Sequence, residues 1–231
     1  MGRQEYSTET FFGKYESLIR GQLNDRLDGL NRLLRNIGGD CETRLLNLEY
    51  SEKGLTTEDL LQGDAQQRCK ILAAILYDHA LWELEAAYLM ICIGLLNIAY
   101  ANLRGSLEAL VTAFIVERVD AEAVKFLKGE KVDPRIIAKY INPNYNRLLR
   151  DMKKAFSELG VHTKFESVQL TSLFGPGRFD KIVAELPKVN RPLKLRDGFV
   201  DVASRCIKHG EDLSILFVWL MKMPVAKRVG F

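Results

Sequence analysis

From Ala86 to Leu103 the chain runs for eighteen residues without a charge, AAYLMICIGLLNIAYANL. Such a stretch must leave water, either into lipid or against other parts of the same protein. Eighteen residues is about the lower limit for crossing a bilayer. The run contains Asn97 and Asn102, is bordered by Glu83, Glu85 and Arg104, and carries Gly94 near its middle. These features suit a helix that ends and restarts better than one span, so the expectation is two consecutive core helices and no membrane. The wider segment from Leu81 to Val119 is apolar almost all round, which a helix tolerates when other helices surround it. One unbroken helix from Ala65 to Val119 would measure about 80 Å at about 1.5 Å per residue, too long for a compact domain of this size. A fold-back at Gly94 into a central antiparallel hairpin resolves the geometry.

The remaining chain is read around that hairpin. All six prolines lie at or beyond Pro134, so nothing upstream carries the residue that breaks helices most strongly. After Ser7 or Thr8 as a cap, Phe11, Tyr15, Leu18, Leu23, Leu27, Leu30, Leu34 and Ile37 recur mostly at steps of three or four, which predicts a long amphipathic helix. Gly38 and Gly39 are expected to end it, and Asp40 to cap a shorter helix carrying Leu45, Leu46 and Leu48. Thr56 or Thr57 begins a further turn or two up to Gly63. Asp64 and Gln67 have capping-box spacing before Ile71, Leu72, Ile75 and Leu76. Asp120 is expected to cap a short helix ending at Gly129, and Asp133-Pro134 and Asn142-Pro143 each place a capping residue before a proline at the first helical position. The stretch from about 161 to 196 reads as an irregular excursion with one helix at Asp180 to Leu186. A last helix from about Asp197 to Met223 turns Phe199, Val202, Cys206, Leu213, Phe217 and Leu220 inward. The fold class is all-α: a single domain over 1–231, a helical bundle of about seven to nine helices around the hairpin.

Function is harder to read. A hydrophobic share of 47% and a net charge of +3 describe an ordinary globular chain and exclude disorder, but announce no partner. The opening MGRQEYSTET lacks the apolar run of a secretory signal, so a cytoplasmic location is expected. Cys41, Cys69, Cys92 and Cys206 are widely spaced and read as buried, reduced thiols. There is no G-K-[ST] phosphate loop, no G-x-S-x-G elbow, no H-E-x-x-H and no Cys/His cluster at zinc spacing. None of His79, His162 or His209 follows a glutamate by three residues, as a di-iron bundle would require. No metal and no cofactor are expected.

Two features remain. Arg104 and Glu108 lie four residues apart on one face of the most apolar helix, where either charge buried alone would cost several kcal/mol. They are read either as an ion pair fixing the hairpin or as a polar site at the centre of the bundle. Arg104 also stands in a pattern: Gly94-Leu95-Leu96-Asn97-Ile98-Ala99, then Leu103-Arg104-Gly105-Ser106-Leu107-Glu108, and later Ser157-Glu158-Leu159-Gly160-Val161-His162. This resembles prokaryotic helical families grouped with HEPN-like domains, in which a Leu-Arg-Ser-x-x-Glu helix precedes a Leu-Ser-x-x-His element; here Gly105 is inserted after the arginine. The likeness spans roughly Asp64 to His162. It implies a helical bundle, often dimeric, with Arg104, Glu108 and His162 near one another. HEPN ribonucleases use an arginine and a histidine four to six residues apart, the imidazole as acid or base and the guanidinium on the charged phosphorane. The nearest equivalent is Arg205 and His209, with only three residues between them.

The second feature is the distribution of charge. Residues 131 to 208 hold sixteen Lys and Arg against eight Asp and Glu, whereas residues 1 to 130 hold fourteen against twenty. The cations include Arg147, Arg150, Lys153, Lys154, Arg178, Lys181, Lys188, Arg191, Lys194 and Arg196, interleaved with Tyr140, Tyr145, Phe165, Phe174 and Phe179. Aromatic side chains among cations suit RNA or single strands. The plainer account is that the aromatics belong to packed faces and the cations to a solvated surface that answers the acidic half. Three functions stay open, in this order: a non-catalytic binding or assembly module, a HEPN-like RNA- or DNA-binding protein, and a small ribonuclease. A homodimer is expected in each case.

Overall fold

The computed structural model describes residues 8–48, 56–158 and 191–225, and all regular structure among them is helical. The order is α1 (Thr8–Leu46), α2 (Thr57–Gln62), α3 (Ala65–Cys92), α4 (Leu96–Arg118), α5 (Asp120–Leu127), a 3₁₀ helix (Pro134–Lys139), α6 (Pro143–Phe156) and α7 (Arg191–Lys222). Among the described residues that makes eight helices and no strand.

Local chemistry accounts for most of the boundaries. Thr56 caps α2 with a reciprocal box, its hydroxyl accepting from the Asp59 amide while the Asp59 carboxylate accepts from the Thr56 amide. Asp64 accepts from the Gln67 amide at 2.8 Å and starts α3. Asp133 and Asn142 accept from Arg135 and Asn144 amides ahead of Pro134 and Pro143. Between α3 and α4 the chain turns in three residues, and Gly94 sits at φ +80°, a conformation that costs an L side chain about 1–2 kcal/mol.

The hairpin is antiparallel, as its cross-links show: Ser106 Oγ donates to the Ala80 carbonyl at 2.7 Å, and Tyr77 Oη donates to Glu117 at 3.3 Å nearer the open end. α1 and α7 pack on α3, α7 also on α4, and these four helices enclose the core. Tyr77, Tyr100, Phe114, Phe156 and Phe217 are its largest fully buried side chains. Contacts of Gly38 with Leu81 and of Arg44 with Tyr77 run α1 opposite to α3. Contacts of Arg26 with Ser204 and of Asp40 with Lys222 run α1 alongside α7. All four cysteines are free and buried, and burial pushes the Cys41 thiol up to about 12. No helix among the described residues is long and apolar enough to cross a membrane.

Four expectations are corrected. α1 does not stop at Gly38-Gly39 but runs through them to Leu46, so Asp40 caps nothing. Two glycines cost a helix about 2 kcal/mol together, and the packing beyond them outweighs that: Ile37 and Cys41 are buried, and Arg44 reaches α4 and α7. Asp120 is the first residue of α5 and not its cap, because its carboxylate is taken by Arg68. α7 begins at Arg191, six residues before the expected Asp197. Pro192 falls in its first turn, where a missing amide donor removes no hydrogen bond. The rest of the excursion, residues 161–190 with the helix expected at Asp180 to Leu186, lies outside the described residues. Lastly, α3 is not surrounded on all sides: Ile75, Trp82 and Leu89 are 47%, 70% and 57% exposed.

Candidate functional site

Arg104 and Glu108 form an ion pair, Nε to Oε1 at 3.1 Å, with Lys153 of α6 joining Glu108 at 3.4 Å. The side chains are 28% and 46% exposed, so the group lies on the outside of α4 and not at the centre of the bundle. Exposed pairs of this kind contribute roughly 0–1 kcal/mol. Ser106, from the same motif, turns the other way and is fully buried as the hairpin cross-link. Gly105 allows α3 close: a Cβ there would lie 3.1 Å from the Glu83 carboxylate. His162 lies outside the described residues.

Arg205 and His209 face different surroundings. Arg205 is exposed and paired with Asp201 at 2.9 Å. His209 turns inward, edge-on to Tyr100 and Phe156 at centroid distances of 5.8 and 5.6 Å. Its Nδ1 is buried without a hydrogen-bond partner in the structure. Burial holds the imidazole below its ordinary pKa, Arg205 and Lys208 add to that, and Asp212 opposes it. The half-buried ring is packed edge-on against the two aromatic rings.

Among the cationic residues, Arg147, Arg150, Lys153 and Lys154 line the exposed side of α6. Arg147 is 3.8 Å from Asp151. The aromatic side chains expected to stack bases are engaged by the protein where they are described. Tyr145 stacks on Trp219 at 4.2 Å, and Tyr140 meets Phe114 edge-on at 6.2 Å. Arg191, Lys194 and Arg196 fall in the first turns of α7, with side chains outside the description; Arg178, Lys181, Lys188, Phe165, Phe174 and Phe179 lie outside it altogether.

The most thoroughly bonded charges are ones the sequence does not advertise. Arg68, on α3, holds Asp120 through two bonds at 2.8 and 2.9 Å and donates to the carbonyls of Leu60, Leu61 and Gly63 at the end of α2. Glu117 receives Arg44 at 2.7 Å, Arg118 at 2.8 Å and the Tyr77 hydroxyl. The two arginines pass on to α7, Arg44 to the Met221 carbonyl and Arg118 to that of Met223. Burial alone would lower the Arg44 pKa, but the bond and charge of Glu117 hold it above the ordinary value. Burial, with Glu117 adding to it, raises the Tyr77 phenol. These networks tie helix ends together.

Among the described residues, two apolar surfaces stay uncovered. One is a groove of about 620 Å³ between α1 and α7, lined by Leu33, Ile215, Val218 and Trp219. The other is the ridge on α3. Ile75, Trp82 and Leu89 stand seven residues apart, a spacing visible in the sequence but masked by the expectation of all-round burial. Asp78, His79 and Glu85 share this outer face; partial burial and then Asp78 raise the Glu85 pKa. The class so defined is an all-α helical bundle. No family model, no curated protein and no solved structure matches the chain.

Proposed function

We propose that this chain is a non-catalytic binding and assembly module, working in the cytoplasm as a homodimer. One observation carries the reading: the outer face of α3, a central helix, presents Trp82 at 70% exposure between Ile75 and Leu89. An apolar ridge of this kind on a folded domain marks a contact surface. The residues nominated for chemistry support it from the other side, since Arg104 with Glu108 and Arg205 with Asp201 are surface pairs and His209 is packed. The test has two parts. Trp82→Glu leaves the unfolding free energy in urea, measured at a concentration where the chain is monomeric, within about 0.5 kcal/mol of the parent, as a surface substitution does, and the purified protein neither cuts RNA nor retains RNA or DNA on filters. Cleavage, or retention that falls steeply with salt, ends this reading.

A second reading keeps the HEPN-like resemblance and makes the chain an RNA- or DNA-binding protein, with Arg147, Arg150 and Lys154 on the exposed side of α6 as its favouring observation. It requires affinity that falls about linearly in log–log with salt, with a shallower slope when these cations are replaced. If the protein is instead a ribonuclease, His162→Ala or His209→Ala abolishes cleavage.

A further inference from the structure

We infer that the apolar groove between α1 and α7 is the seat of this chain's own tail, Ala226-Lys227-Arg228-Val229-Gly230-Phe231, laid back along α7 as a strap. The tail lies outside the described residues, and the described chain stops at the lip of the groove. Met223 and Pro224, the two residues after the last helical position, line it together with Leu33, Ile215, Val218 and Trp219. The backbone therefore passes into the tail at the groove's own edge. Arg118 fixes that exit by donating to the Met223 carbonyl at 2.7 Å. Val225, the next residue, is an apolar side chain 47% exposed.

Reach and sequence fit the path. Ile215, at the far end, lies seven residues back from Lys222, about 10.5 Å at about 1.5 Å per residue. Leu33 stands opposite it, since Leu30 meets Gly210 and Asp40 meets Lys222 across the same pair of helices. Extended chain from Val225 to Val229 covers about 16 Å at about 3.3 Å per residue, so Val229 and Phe231 arrive at the end lined by Leu33 and Ile215. Alternate residues of an extended chain share a face, which puts Lys227 beside them at the level of Val218 and Trp219. Its methylene stem covers apolar surface there while the ammonium stays at the rim. Tethering commits the groove to this occupant: a segment that starts at the lip is present at an effective concentration on the order of millimolar, which a free partner has to match. Seating it also removes an apolar surface that would otherwise invite association.

The test reads Trp219, which lines the groove. Trp82→Phe removes the other tryptophan of the chain. In that background, quenching of Trp219 by acrylamide is compared between the full chain and a chain stopped at Val225, each at about 1 to 100 µM, far below the effective concentration of a short tether. Thermal melts check that both are folded. Stopping at Val225 is expected to raise the quenching constant about twofold, because a tethered strap is seated most of the time. The full-length double variant Val229→Asp/Phe231→Asp gives the same rise without shortening the chain, and so decides the matter if the shortened chain does not fold. Equal quenching of the full and shortened chains overturns the inference, as does a double variant as well protected as the parent. Protection that grows with protein concentration overturns it too, and gives the groove to a second copy.

Discussion

Arg68 is 7% exposed and makes five hydrogen bonds, two to Asp120 and three to the end of α2. Removing it takes the donor from three carbonyls and a carboxylate at once. Arg68→Ala is expected to cost about 3 kcal/mol in urea unfolding, the low end of the loss when one partner of a buried pair is deleted, because the Asp120 carboxylate is partly open to water. Asp120→Asn should cost less, since that side chain is 35% exposed and water can replace part of the bond. His209 gives a prediction with a sign. Its folded pKa is depressed by burial, so the unfolded chain binds the proton more readily. The contribution is complete above the unfolded value near 6.5 and is lost as pH falls from there through the folded value. Melts between pH 7.5 and about pH 5.5 should show that slope, and His209→Phe, which keeps the ring contacts with Tyr100 and Phe156 and removes the orphaned nitrogen, should flatten it.

Among the elements, two glycines should respond with opposite signs. Gly39 lies inside α1 with nothing within 4 Å of where a methyl group would stand, so Gly39→Ala should stabilise by about 1 kcal/mol through helix propensity. Gly94 at φ +80° should lose about 1–2 kcal/mol on the same change; chemical denaturation of the two variants checks both. The contrast also says what could be read in advance. The turn at Gly94 and the caps at Thr56, Asp64, Asp133 and Asn142 were legible because each is decided within four or five residues of chain. The continuation of α1 was not, because it rests on Cys41 and Arg44 meeting α3, α4 and α7, contacts between residues far apart in sequence. For the same reason Asp120 read as a cap when its partner, Arg68, lies 52 positions away.

At the scale of the molecule, the candidate site was less legible than the fold. Arg104 and Glu108 were found as a pair, but an apolar run cannot say which of its sides is turned outward, and both are on the outer one. The ridge of Ile75, Trp82 and Leu89 was hidden by the same ambiguity: hydrophobicity all round α3 fits burial within one chain or between two. The hold of Arg44 and Arg118 on the carbonyls of Met221 and Met223 has a practical side. It makes the end of α7 a fastening for the whole architecture, so an affinity label grafted past Val225 should leave the protein intact. Trimming back to Leu220 should take both guanidiniums off α7, leaving them to Glu117, and let the last helix peel away first.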